Sequence, residues 1–333
     1  METTKSKPLW QGSVVFLGLL VALFSAVYKS MDNIVVHNYI TAEDGLTAAF
    51  SYLIVGGWTG VILGVVFSMM FGKRLIDKDF NGIVWNNRKM HLQALISGGI
   101  SAGSTLFLLW GNQFGDPGAL VALSTAVMVY TVAYDVATGQ TKFRYIAAPM
   151  FGAMVGGALA AFSGSLAITA TGILFVLVIS NGLAAVSEVA EQKGARASDG
   201  VNLFIWRFFW LAATGTVIAL VVSAARGYTD LLFATVSNAV NYIPFIGLTM
   251  FFVFLGIGLK LTLKKDNAVS VILLISSAQV VLAFPITIIG EWVKPGLFGG
   301  IPTDPLVWIV RFVGAGILVW SIFRLRETNP EVN

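Results

Sequence analysis

Eight side chains stand out because their chemistry is at odds with their neighbours. Gln279 and Asn181 are amides inside long apolar runs. An amide there offers two donors and an acceptor to a bound solute. It can equally bond a neighbouring helix, for about 0.6 kcal/mol on average. Asp135 is the only acid within an apolar segment. Such a carboxyl carries protons, or it forms a structural ion pair, for which Arg207, Lys142 and Arg144 are the nearest cations in the predicted arrangement. Arg207 itself lies about six residues inside a segment, and its long stem lets the head reach out to the interface. Lys29, at the end of the first apolar run, would attract a carboxylate or phosphate, or reach back to lipid headgroups. Tyr52, Trp58 and Tyr130 have rings suited to the wall of a mostly apolar pocket, and equally to plain helix packing.

Other chemistries are missing. The 333 residues include no cysteine and two histidines, so thiol catalysis and thiolate metal sites are excluded, and no metal or cofactor is expected. No G-x-x-x-x-G-K-[ST] or H-E-x-x-H occurs, and no long polar segment is available for a catalytic domain. An intramembrane enzyme would need acids or a nucleophile converging at one depth, and Asp135 has no acidic partner within a segment. The chain is not expected to be an enzyme. A scaffold or receptor without transport activity is the other alternative, favoured by the long connections 32–45 and 224–242.

The elements that position these residues follow from composition. Hydrophobic residues make up 56% and charged ones 11%, less than half of the roughly 25% of a soluble domain. A bilayer core needs about 20 apolar residues per helix, and lipid forces the backbone to bond to itself. Ten such runs are predicted: 12–31, 46–71, 91–110, 118–138, 144–162, 166–187, 202–223, 243–263, 268–290 and 305–323. The shorter stretch 229–241 is amphipathic and is expected to lie at the interface. With both termini in the cytoplasm, sixteen Lys and Arg fall on the inner side and three (Lys29, Arg226, Lys294) on the outer, Arg207 and Arg311 lying within spans. That bias is what the positive-inside rule asks for. The setting expected is a cell membrane, with lipid and a small-molecule substrate as partners, a homodimer allowed and nucleic acid excluded.

The chain also compares with itself at a displacement of about 150 residues. Phe50-Ser-Tyr-Leu with Thr59-Gly-Val-Ile is matched by Trp206-Arg-Phe-Phe with Thr214-Gly-Thr-Val-Ile. Asp116 to Gly139-Gln140 is matched by Asp266 to Gly290-Glu291. An odd number of spans per half turns the halves upside down relative to each other. The expected fold is therefore an all-α integral membrane protein, ten transmembrane helices as two inverted five-helix repeats, 1–163 and 164–333. Inverted repeats mark secondary transporters, because two equivalent halves can exchange conformations at similar energy.

These motifs are where a family resemblance enters. Ser104-Thr-Leu-Phe-Leu-Leu-Trp-Gly followed by Asp116-Pro-Gly-Ala-Leu-Val-Ala-Leu-Ser-Thr resembles the junction of the third and fourth spans in EamA-like members of the drug/metabolite transporter superfamily. Ile288-Ile-Gly-Glu291, Phe245-Ile-Gly-Leu-Thr-Met-Phe-Phe and Ala26-Val-Tyr-Lys29 are similar to other spans of that family, and Arg207 matches an Arg often found early in the second span of a repeat. Ser124-Thr125 and Ser276-Ser277 stand where the family often has a nearby proline. The resemblance implies movement of small metabolites, often export of amino acids or related compounds. Substrate contacts are expected from Gln279, Asn181, Lys29, Trp58, Tyr52 and Tyr130, and coupling or ion pairing from Asp135 and Arg207.

Overall fold

Backbone amides in a hydrocarbon layer have no water to bond to, so an apolar chain of this kind satisfies them within helices. The computed structural model describes residues 14–40, 44–111, 124–162, 170–297 and 304–328, and among them no strand occurs. In chain order the helices are α1 (Val14–Asn38), α2 (Gly45–Ile76), α3 (Arg88–Gly111), α4 (Val127–Ala137), α5 (Phe143–Ala160) and α6 (Leu174–Ala197). Then follow α7 (Gly200–Ala225), α8 (Thr229–Val240), α9 (Ile243–Asp266), α10 (Val269–Ser276), α11 (Gln279–Val293) and α12 (Pro305–Thr328). The last third of α2 and the first third of α6 are wound as π-helix.

Eight helices are long and apolar enough to cross a membrane, counting α10 and α11 together as one. The other two predicted spans correspond to α3, which is 24 residues long, and to α4, an 11-residue apolar helix. The run before α4, with Asp116, lies outside the described residues, as does the expected repeat boundary at 163–164. Stretch 229–241 forms α8, which packs on α2 and α7 and buries Leu232, Thr235 and Ala239.

Several helices run past their predicted ends. α1 continues to Asn38 instead of stopping near 31, and α6 continues to Ala197 instead of 187. The apolar runs end at the first charges, but the helices do not, because those charges are paired inside the bundle. Lys264 is fully buried, and Lys260 lines an internal cavity. Neither is a loop cation, so both leave the inner side of the charge count.

The inside-out polarity fits lipid as solvent. Ile62, Val221 and Phe312 are at least 60% exposed, while Glu191, Arg207 and Lys264 are buried. One core, around Phe204, Phe208 and Phe254, joins α2, α7 and α9. A second, around Ile146, Leu274 and Leu318, joins α5, α10 and α12. Lipid gives helices no hydrophobic reason to associate, so close approach of small residues matters more. At the crossing of α5 and α12 a Cβ on Gly314 would stand 2.3 Å from the Ala160 nitrogen, and one on Gly156 2.6 Å from the Leu318 nitrogen. Glycines of α2 are used in the same way, with Gly57 against Ala212 and Gly64 against Phe204.

The long-range pairings are α3 with α6 and α7, α9 with α1 and α2, α2 with α7, and α5 with α12. The two ends of the bundle are fixed differently. At one end Asp199 caps α7 through the Asn202 N–H (2.8 Å), and Asn202 Nδ2 donates to the Gly82 carbonyl (2.9 Å). Asp77 accepts from the Gly200 N–H (2.9 Å), so the connection 77–87 is bound to the start of α7. At the other end Asp44 caps α2 through the Thr47 N–H (3.0 Å) and pairs with Arg226 at the end of α7 (2.8 Å).

Candidate functional site: a polar cleft between the helices

α6 carries Glu188 and Glu191 three residues apart, and α9 carries Lys260 and Lys264 four apart. Each spacing puts both charges on one helix face, and α6, α7 and α9 are in mutual contact. A ladder of alternating charge results. Lys260 Nζ donates to Glu188 Oε1 (2.6 Å), and Lys264 Nζ bonds both Glu188 Oε2 and Glu191 Oε2. Arg207 Nε stands 2.7 Å from Glu191 Oε1, and its Nη2 donates to Ser101 Oγ on α3 (3.0 Å). Ser101 in turn meets Ser187 on α6 (2.8 Å), and Ser104 meets Ser180 (3.2 Å). Removing one partner of a buried pair typically costs about 3–5 kcal/mol, because the other charge is left uncompensated. The ladder is therefore a rigid, specific feature.

Two compartments border this ladder. The first, about 320 Å³, has aromatic and apolar walls from Tyr28, Tyr52, Phe208, Leu211 and Met250. Its polar points are Asp32, Glu188, Arg207 and the α3 hydroxyls Ser101, Ser104 and Thr105. Tyr52 donates its phenol hydrogen to Asp32. The second compartment, about 270 Å³, is more polar, with Lys29, Lys260, Gln279 and the hydroxyls of Ser124, Thr125 and Ser277. Tyr28, Glu188, Arg207 and Ile257 line both and form a collar between them.

The polar compartment is bordered by an interrupted helix and by the start of α4. Between α10 and α11 the winding tightens at Ser277–Ala278, where Ala278 N–H bonds the Ile275 carbonyl (3.2 Å) and Val280 N–H the Ser277 carbonyl (3.1 Å). Before α4 the same happens at Thr125–Ala126, with Met128 N–H on the Thr125 carbonyl (3.2 Å). Gln279 is the first residue of α11 after its interruption.

The expected residues divide into two groups. Lys29, Gln279, Tyr52 and Arg207 line the cleft. Lys29 is exposed, and neither Lys29 nor Gln279 has a hydrogen bond or ion pair to any described residue. The other four lie elsewhere. Trp58 donates its indole N–H to Thr216 (3.1 Å) on α7 and packs edge-on against Phe209. Tyr130 donates to the Leu177 carbonyl (3.0 Å) and lines a separate groove with Tyr134, Val186 and Lys193. Asn181 is buried where the π-helical part of α6 ends and lines neither compartment.

Asp135 is fully buried but forms no ion pair among the described residues, with Arg207, Lys142, Arg144 or any other cation. Its Oδ2 accepts from the Ser270 N–H (2.7 Å) and hydroxyl (2.5 Å). The residue at the cap of α10 is Ala268, which has no side-chain oxygen. Asp135 supplies from α4 the capping acceptor that Ala268 lacks, at the end of the helix where the dipole favours an anion.

Glu188, Glu191, Lys264 and Asp32 are absent from the list of expected residues. Their signal was present as like charges spaced three and four apart at the edges of apolar runs. Averaged over a window of about 20 residues, such charges read as the start of a loop.

The chain matches no family model and no curated protein. Its fold does resemble solved structures, 23 chains in all. One of them, "Crystal structure of protein", superposes with a TM-score of 0.58 over 94% of this chain and 96% of that one, at 12% sequence identity. At that identity the likeness speaks to the fold alone, and it extends over nearly the full length of both chains.

Proposed function

We propose that this chain is a secondary transporter that moves a small metabolite across the cell membrane by alternating access. The observation that carries the reading is the polar cleft between apolar-faced helices, with polar groups that no neighbour satisfies. Polar groups at membrane depth are expensive, and where they occur they mark substrate and ion pathways.

The helix pairings support two inverted halves of five spans, with ten crossings in total and both termini in the cytoplasm. A twofold axis in the membrane plane would exchange α3 with α9, α6 with α1 and α7 with α2. The observed pairs α3–α6 and α9–α1 are then equivalents, as are α3–α7 and α9–α2. α2–α7 and α5–α12 pair with themselves under that exchange. An interrupted span facing the cleft, as between α10 and α11, is a further feature of transporter folds. In this reading the halves rock about the α2–α7 and α5–α12 seams, and the charge ladder closes the cytoplasmic side of the cleft.

The test is flux. Purified protein in liposomes should accelerate uptake of at least one labelled metabolite over protein-free vesicles, and Gln279→Leu should reduce that uptake while the protein remains folded. A folded, reconstituted protein that moves none of a broad panel of organic acids, amino acids and amines would contradict the reading.

A further inference from the structure

Resting on the transport reading, we infer that the solute taken up in the cleft is an organic monoanion, with its acid group at Lys29 and Gln279 and its carbon body in the aromatic compartment. The first argument is charge balance. Around the two compartments and directly behind them stand four cations, Lys29, Arg207, Lys260 and Lys264. Against them stand three anions, Asp32, Glu188 and Glu191. One positive charge is left over in a region where unbalanced charge is costly. A solute with a single negative charge brings the site to neutrality. A zwitterion leaves the excess in place, a cation doubles it, and a dianion reverses it.

The second argument says which cation is open to a ligand. Arg207, Lys260 and Lys264 are all engaged in the ladder with Glu188 and Glu191. Asp32, one turn along α1 from Lys29, accepts from Tyr52 and attracts Lys29 without forming an ion pair with it. Lys29 alone of the four cations has no carboxylate or other acceptor among the described residues. Its ammonium lines the same compartment as the Gln279 amide, which also has no partner. An ammonium and an amide N–H₂ are both donors, so the ligand group that satisfies them together is an acceptor such as a carboxylate or sulfonate.

The third argument concerns the body. The adjoining compartment, lined by Tyr28, Tyr52, Phe208 and Met250, is suited to a ring or short alkyl chain. Each compartment is near the lower end of the roughly 300–1,000 Å³ usual for ligand pockets, so the solute is small.

The test uses two carbon bodies, each bearing three charge states: phenylacetate, phenylalanine and phenethylamine, then hexanoate, norleucine and pentylamine. Thermal unfolding of the detergent-purified protein reads binding, and uptake into liposomes, corrected for protein-free vesicles, reads transport. At least one of the two acids should raise the unfolding temperature and compete for the site, and the zwitterion and amine of the same body should not. Lys29→Gln should weaken the acid's binding about 10- to 100-fold, the range for a charge-assisted hydrogen bond, while Lys29→Arg retains it. Lys29→Gln should also leave the unliganded protein close to the parent in stability, because Lys29 is exposed and makes no hydrogen bond or ion pair among the described residues. A structural lysine would lower that stability. If the acid binds through Lys29 without being transported, the anion site stands and the transport reading fails. If phenylalanine, norleucine or an amine is transported in preference to the acids, the transport reading stands and the anion site is overturned. Binding of neither acid, or acid binding that is indifferent to Lys29→Gln, also overturns it.

Discussion

Two sets of buried acids in this molecule solve the same problem in opposite ways. Glu188 and Glu191 are each held by cations from other helices, in a ladder that runs from Lys260 to Arg207. Asp135 is just as deeply buried and has no cation, only the N–H and hydroxyl of Ser270 at the start of α10. The first arrangement borders the cleft and the second does not. A buried charge is thus not by itself a sign of a site. What matters is whether it borders the space a ligand would fill, as Glu188 and Glu191 do and Asp135 does not.

The largest expected effect breaks the ladder. Glu191→Gln takes the carboxylate from both Lys264 and Arg207, and should destabilise the protein by about 3–5 kcal/mol, read as a lower unfolding temperature in detergent. Adding Lys264→Met to that variant removes one of the cations left in excess and should recover part of the loss. No recovery would mean that the two side chains are not energetically coupled.

Next comes Asp135→Asn. It keeps a capping oxygen but removes the charge from two hydrogen bonds, each worth about 1.5–3 kcal/mol when charged and about half that when neutral. A loss of about 1–2 kcal/mol is expected, with the pH profile of transport unchanged because Asp135 lines neither compartment. A flattened pH profile would make Asp135 a proton carrier and remove the contrast. Ser270→Ala probes the same contact from the other side. It deletes only the hydroxyl bond and should cost about 1 kcal/mol.

The smallest effect belongs to a third acid, outside the membrane-spanning helices. Asp44 is held below the usual carboxylate range by its hydrogen bonds from Arg226 and then from Thr47, against a modest opposing effect of burial. A folded value below the unfolded one stabilises the protein at pH above the unfolded value, near 4, and that contribution fades as pH falls through the folded value. The Asp44–Arg226 pair is partly exposed, so screening limits it to about 0.2–1 kcal/mol. Arg226→Ala should lower stability at pH 7 by that amount and have no effect well below pH 3. An effect that persists undiminished in acid would rule out the ion pair as its origin.

Helix content and approximate span positions were legible in the sequence because they depend on composition, which averages well. The capping acids at Asp44 and Asp199 were not singled out, though each stands directly before an apolar run. The cleft was half legible. Lys29, Gln279, Tyr52 and Arg207 were visible as polar or aromatic residues at odd places, and all four line it. Trp58 and Tyr130 had the same local signal and point elsewhere, because side-chain direction is settled by helix packing and not by residue type. Glu188, Glu191 and Lys264 were hidden for a different reason. Their cost of burial is met largely by partners about 70 residues away, at Lys260 and Lys264 for the glutamates, with Arg207 a nearer second partner of Glu191. No local window contains Lys260 or Lys264 together with the glutamate it holds. Asp135 was misleading on the same ground, since its partner is 135 residues distant.

The central claim is that the cleft beside the charge ladder opens to each side of the membrane in turn. The natural chain has no cysteine, so a single introduced thiol is the only target for a membrane-impermeant reagent. Thr105→Cys and Gln279→Cys place that thiol in the aromatic and polar compartments respectively. The account predicts that both cysteines react with reagent added from either face of oriented vesicles, and that a transported solute slows both reactions. A cysteine at either position that reacts from one face only, whatever solute is supplied, or from neither, would contradict it.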